Sequence, residues 1–211
     1  LKASWGGPFN GQEGRQAIFR ELISKVQFGM IVETGTYRGT TTEFLARESG
    51  LPVCTVEADP RYYHYARLRL RKQRFIRLEL GDSRAFLEKL ARDPALPKQS
   101  VFFYLDAHWQ EDLPLKQEIQ LIVRFWTGVA IMIEDFQAPG DEGYAYDDYG
   151  PGKKLCLEHL EPLSQFGLSA YFPTLPSEQE TGGKRGCVLL ADGPMQERLA
   201  QFRTLRAHAS T

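Results

Sequence analysis

At 211 residues, with 42% hydrophobic and 25% charged side chains, the chain has the size and composition of one folded α/β domain that can bury a substantial core. Its 26 basic and 27 acidic residues leave a formal net charge of -1, which predicts no general attraction to nucleic acid or to an anionic membrane. No apolar run approaches the roughly 20 residues that a spanning helix needs, and Cys54, Cys156 and Cys187, odd in number and without C-x-x-C spacing, argue against a disulfide framework or a zinc site and fit a reducing, cytoplasmic setting.

The first eleven residues open at Leu1 without Met or a signal-peptide pattern, which fits an excised domain, and they read as a lead-in segment or lid. From Gln12 a helical pattern carries Ile18, Phe19, Leu22, Ile23 and Val26 to Gly29. A buried strand over 30–32 then ends in Glu33, and a turn with Gly35 and Gly39 leads into a helix through Phe44 and Leu45. The spacing Glu-x-Gly-x-x-x-Gly departs from the dinucleotide fingerprint, because Tyr37 and Thr40 stand where that pattern has its second and third glycines. VCTVEADP gives a second strand ending in Glu57, with Pro60 opening the next helix. A third strand, 75–80, is followed by Gly81, Asp82 and Ser83, Asp82 being a good N-cap. VFFYLDAHW is a fourth strand ending at Asp106, and GVAIMIED, after a helix over 115–126, a fifth ending at Glu134 and Asp135.

Five apolar strands alternating with helices predict a doubly wound α/β arrangement with a parallel sheet. Ligands bind beyond the carboxyl ends of such strands, and here every strand has an acid at or next to that end: Glu33, Glu57, Asp82, Asp106 and the pair Glu134 and Asp135. Residues 138–154 form a Gly, Pro, Tyr and Asp loop too long for a plain connection, which reads as an active-site loop. A helix near 155–163 follows, then LSAYFPTL and GCVLLAD as an antiparallel hairpin, and a last helix from Met195 to about Leu205.

On VETGTYRG, VEADP, LGDS, LDAHW and IEDFQAPG the sequence resembles the class I S-adenosylmethionine-dependent methyltransferases, from Gln12 to Asp192. The resemblance implies one Rossmann-like methyltransferase domain over 1–211, with a mostly parallel seven-stranded sheet whose last strand is antiparallel. Within the class, LDAHW and IEDFQAPG resemble parts of the patterns of small metal-dependent O-methyltransferases, of the catechol type and of the macrolide-sugar type. That implies a cofactor held by Glu33, Gly35, Thr36, Tyr37, Gly39, Glu57, Ala58, Asp82, Ser83 and Asp106. Glu57, with two acceptor oxygens, suits the two ribose hydroxyls, and Glu33 the ammonium of the methionine part.

Asp106, Glu134 and Asp135 would converge at the ends of adjacent strands, where like charges repel unless a hard cation such as Mg²⁺ joins them. His108 is the candidate base for a substrate hydroxyl, with Asp106 beside it. Trp109, Tyr144, Tyr146 and Tyr149 are candidates to stack on the acceptor, although packing is the simpler reading of Trp109; Trp126 belongs to the core. The expected activity is O-methylation of a small hydroxylated acceptor, a sugar, natural product or catechol-like molecule, by a chain that acts alone or as a homodimer. Two alternatives stay open: an iron- and oxygen-dependent hydroxylase on the same fold, and a non-catalytic nucleoside-binding module that contacts an anionic partner through the basic run 67–77. The balanced total charge makes that run a solvated helix face before it makes it a nucleic-acid site.

Overall fold

The computed structural model describes residues 6–108, 112–160 and 163–208, so Trp109 lies outside the described residues. Helix α1, Glu13–Lys25, delivers the chain to β1, Met30–Thr34; there follow α2 (Thr40–Ser49), β2 (Val53–Glu57), α3 (Pro60–Leu70), β3 (Ile76–Leu80), α4 (Ser83–Arg92), β4 (Val101–Leu105), α5 (Leu115–Phe125) and β5 (Ala130–Glu134). The remainder holds α6 (Leu157–Leu160), β6 (Ser169–Pro173), β7 (Cys187–Ala191), α7 (Gly193–Leu199) and β8 (Leu205–Ala207). All strands share one sheet in the order β3-β2-β1-β4-β5-β7-β6-β8.

The first five strands are parallel, and β7 runs antiparallel between β5 and β6. The order reverses between β1 and β4, which opens a crevice at their carboxyl ends. Strands β1, β2, β4 and β5 are buried at every position, as in a sheet covered on both faces; β4 is apolar throughout, while β1, β2 and β5 end in the buried polar side chains Thr34, Glu57 and Glu134. One face packs on Phe86, Leu87 and Leu90 of α4 and Leu115, Ile119 and Ile122 of α5. The other packs on Ile18, Phe19 and Leu22 of α1, Phe44 and Leu45 of α2, and Met195 and Leu199 of α7. Each such side chain, fully buried, contributes about 1.5–3 kcal/mol.

Local chemistry sets the helix starts. Asp59 accepts from the Arg61 and Tyr62 N–H groups at the head of α3, with Pro60 in the first turn, and Asp82 caps α4 through the Arg84 and Ala85 N–H groups. In the described part of the lead-in, Phe9 is 1% exposed, edge-on to Tyr104 and Phe44, and its N–H donates to the Thr41 hydroxyl.

Two expectations are corrected. Among the described residues the sheet has eight strands, not seven, and the last helix ends at Leu199 instead of near Leu205. Phe202 and Leu205 turn inward, and the Glu21 carboxylate of α1 accepts from the Arg203 and Thr204 N–H groups, which draws the tail into an edge strand beside β6. Burial alone would raise the Glu21 pKa, but these bonds with those from Lys25 and the Thr204 hydroxyl hold it at about 2. In the 155–163 stretch the α-helix covers only Leu157–Leu160. Among the described residues no helix is long and apolar enough to cross a membrane.

Candidate active site

The turn after β1 is shaped by close approach. Gly35 has φ +84°, and a Cβ there would stand 2.2 Å from the Asp106 carbonyl oxygen at the exit of β4. Tyr37 takes φ 50°, the left-handed conformation that glycines supply in such turns. Its ring packs on Tyr62 with centroids 4.4 Å apart, and its N–H donates to Glu57 at 2.6 Å.

Glu57, 8% exposed, also accepts from the Asp59 N–H at 2.9 Å. Each carboxylate oxygen is thus aimed by one backbone donor and keeps a further lone pair for a ligand hydroxyl. Burial raises its pKa. Glu33 lies deeper, 1% exposed, and accepts from the Thr42 and Thr55 hydroxyls. Burial pushes its carboxyl up to about 7, more than those hydroxyls lower it. Thr36 is buried against Thr55, Gly39 precedes α2, and Ala58 is exposed beside Glu57. Asp82 is engaged as a helix cap and in an ion pair with Arg84, whose guanidinium holds its pKa low, while Ser83 is buried.

On the other side of the crevice the structure assembles a different acid group from the expected one. Glu134 is fully buried and turned to α1: its carboxylate forms an ion pair with Arg15, itself 1% exposed, and accepts from the Tyr104 hydroxyl at 2.7 Å and the Asn10 amide at 3.3 Å. That engagement commits Glu134 to the Arg15 guanidinium, a buried cation that keeps its counter-charge. His108 stands beside Asp106 and Asp135. Its Nε2 is buried without a hydrogen-bond partner among the described residues and stands 4.0 Å from Asp106 Oδ1, 4.0 Å from Asp135 Oδ2 and 3.9 Å from Asp147 Oδ2.

Asp135, at φ 54°, leaves β5 in a left-handed turn. Arg185, just before β7, donates to Asp135 Oδ1 and Asp147 Oδ1, so both Oδ2 atoms remain on the His108 side. Asp147 comes from the 138–154 loop, anchored by its N–H to the Asp135 carbonyl at 2.9 Å, and Tyr149 donates to its Oδ2. Asp147 and Arg185 were not singled out in the sequence; only the fold brings them here.

Burial, with the carboxylates of Glu134, Asp135 and Glu33 around it, raises the Asp106 pKa far above the usual range, and burial lowers that of His108. One donor atom each of Asp106, His108 and Asp135 lie within 4.8 Å of one another. These three side chains would be the ones to hold a divalent cation placed between them. An imidazole nitrogen facing three carboxylates is a mixed nitrogen and oxygen donor set that would suit a divalent cation.

Of the candidate stacking residues, Tyr144 is 3% exposed with its hydroxyl on the Leu175 carbonyl, so it is core and not acceptor platform. Tyr146 lies under Lys154. Trp126 is core, as expected, with its indole N–H on the Pro97 carbonyl. His64 and His208 are exposed, and His159 is outside the site.

No protein-family model and no curated protein matches the chain. Solved structures do. An O-methyltransferase from Bacillus cereus in complex with SAH aligns over 86% of this chain and 81% of its own at 17% identity, TM-score 0.61. The cofactor-bound Rv0187 from MTB aligns over 85% and 79% at 22% identity, TM-score 0.58. The [4+2]-cyclase SpnF aligns over 81% and 64% at 13% identity, TM-score 0.52, so the same architecture also carries chemistry other than methyl transfer. By sheet order, crevice and structural likeness, the chain has the Rossmann-like fold of the class I methyltransferases.

Proposed function

We propose that the chain is an S-adenosylmethionine-dependent O-methyltransferase for a small hydroxylated acceptor, assisted by a divalent cation such as Mg²⁺. The observation that carries this reading is the buried, unpartnered Nε2 of His108 facing Asp106, Asp135 and Asp147 across the crevice from a glycine turn and the aimed carboxylate of Glu57. Glu57 would accept the ribose hydroxyls, and Gly35, Thr36, Tyr37 and Gly39 would let the backbone close around the methionine part. Glu33, under the turn, would receive its ammonium in competition with Thr42 and Thr55. Asp82, Ser83 and Ala58 line the base side, with Asp82 acting first as a helix cap.

A bound cation would lower the pKa of an acceptor hydroxyl and fix its oxygen. Asp106, His108 and Asp135 would hold it, and Arg185 would keep the Asp135 and Asp147 carboxylates oriented. This reading makes His108 a metal ligand in place of the base first expected of it. The carboxylates suit Mg²⁺ or Mn²⁺ and the imidazole also admits Fe²⁺, so the choice between methyl transfer and the iron-dependent hydroxylase falls to the cofactor side of the crevice and not to the donor set.

The test is calorimetric titration with S-adenosylmethionine, with and without Mg²⁺, on the wild type, Glu57→Ala and Asp135→Asn. Binding abolished in Glu57→Ala and a separate Mg²⁺ heat abolished in Asp135→Asn are expected. A folded wild type that binds neither would refute the proposal, and cofactor binding without any cation heat would reduce it to a metal-free enzyme or a nucleoside-binding module.

A further inference from the structure

The large apolar side chains left exposed among the described residues stand on one flank of the sheet: Leu68 is 56% exposed, Phe75 67% and Leu80 48%. Leu68 is on α3, Phe75 immediately precedes β3, and Leu80 ends it. β3 is the outermost strand on this side and pairs only with β2. The Val53 N–H donates to the Phe75 carbonyl at 2.8 Å and the Gly81 N–H to the Glu57 carbonyl at 2.9 Å. With a period of two, residues 75, 77, 79 and 81 therefore face β2, and Leu78 and Leu80 turn their N–H and C=O groups to the open edge. Natural sheets ordinarily cover or charge such an edge.

Beside it stands a one-sided set of charges. The run 67–77 holds six basic residues and no acid. Arg69 is engaged with Glu43, and Arg77 with Glu79 and Asp93, while Arg67, Arg71, Lys72 and Arg74 are exposed. A second copy joined through the same edge would bring two such sets together, and like charges oppose that pairing. A nucleic acid would match the cations but would leave the strand edge and the aliphatic side chains unused. An acidic polypeptide in extended form matches edge, apolar surface and charge together.

We propose that the β3 edge docks an acidic, extended segment of a partner protein by strand addition. Its backbone pairs with Leu78 and Leu80, its apolar side chains cover Leu68, Phe75 and Leu80, and its carboxylates face Arg67, Arg71, Lys72 and Arg74. This surface lies on the outer edge of β3, adjoining the crevice only where Leu80 leads to Asp82, and does not depend on the proposed activity.

The probe is a fluorescein-labelled dodecapeptide of alternating Glu and Val, titrated by anisotropy and followed by amide hydrogen exchange. Saturable binding that weakens with salt and slows exchange at Leu78 and Leu80 is expected. The double variant Arg71→Glu with Arg74→Glu should weaken it about tenfold or more. Leu80→Pro, which removes an outward N–H and leaves the β2 ladder intact, should weaken it with the fold preserved. The proposal is overturned if an alternating Lys and Val peptide binds equally well, if oligouridylate binds and the acidic peptide does not, or if the chain dimerises with the same amides protected. It is equally overturned if the acidic peptide does not bind.

Discussion

The Asp135 carboxylate serves two groups at once: Oδ1 accepts from the Arg185 guanidinium, and Oδ2 faces His108 Nε2 across 4.0 Å. If that second oxygen and the imidazole are cation ligands, Asp135→Asn and His108→Ala should each weaken Mn²⁺ binding by about tenfold or more. Electron paramagnetic resonance of free Mn²⁺ measures this directly. Glu134→Gln should leave the affinity close to wild type, and an equal loss there would restore the three-carboxylate site read from the sequence.

Glu134 has a structural role to be tested separately. With Arg15 and Glu134 both 1% exposed at the side chain, Glu134→Gln leaves a buried guanidinium without its counter-charge. A destabilisation of about 3–5 kcal/mol is expected. Urea denaturation followed by tryptophan fluorescence gives the value; a change under about 1 kcal/mol would mean that the guanidinium finds other acceptors.

Gly35 and Tyr37 share a turn and have opposite tolerances. Gly35→Ala would drive a methyl group against the Asp106 carbonyl at 2.2 Å, so cofactor binding should be lost together with several degrees of thermal stability. Tyr37→Gly relieves a left-handed residue of about 1–2 kcal/mol of strain and gives up the contact with Tyr62, so its melting temperature should stay near wild type. Differential scanning fluorimetry of the two variants with and without S-adenosylmethionine separates them.

Glu118 sets a pH dependence from beneath the crevice, behind Ser83 and Thr34. It is 1% exposed on α5, and burial raises its carboxyl to about 7, with the nearby Ser83 and Thr34 hydroxyls pulling it back only in part. A pKa raised on folding means that the folded chain holds the proton more tightly. The contribution is therefore full below the unfolded value of 4.5 and is lost as pH rises through about 7. Glu118→Gln should flatten that fall and gain up to about 3 kcal/mol over wild type at pH 8. Denaturant midpoints at pH 5 and pH 8 provide the check, and parallel losses in both proteins would show that Glu118 does not titrate in this range.

What was legible in the sequence was local. Asp59 with Pro60 and Asp82 with Ser83 announce their helices within three residues, and unbroken apolar runs announce buried parallel strands. Pairings across the chain were not. Glu134 looked like a ligand because it adjoins Asp135, and nothing near it in sequence shows that Arg15, on the first helix, claims it. Asp147 sits among Asp and Tyr residues of a loop with no periodicity, and Arg185 in a polar connection, so neither carries a local signal. The short β8 depends on Glu21, far upstream, and the sequence around it reads as the end of a helix.

Strand direction divides the two sides of the crevice in a way that bears on diversification. Parallel strands contribute residues from the loops that follow them, as β1 does with Gly35 and β2 with Glu57 and Ala58. β7 runs the other way, so its approach, Arg185, arrives at the same rim from the opposite direction. The segment between β6 and β7 is tied to the head of α1, where Gly14 N–H donates to Glu180 and Gln12 pairs with Arg185, and it makes its contribution from a different stretch of chain than the glycine turn. On the proposed function, acceptor preference and nucleoside recognition would be written on separate stretches of chain, and relatives with new substrates would differ first in the connection that carries Arg185.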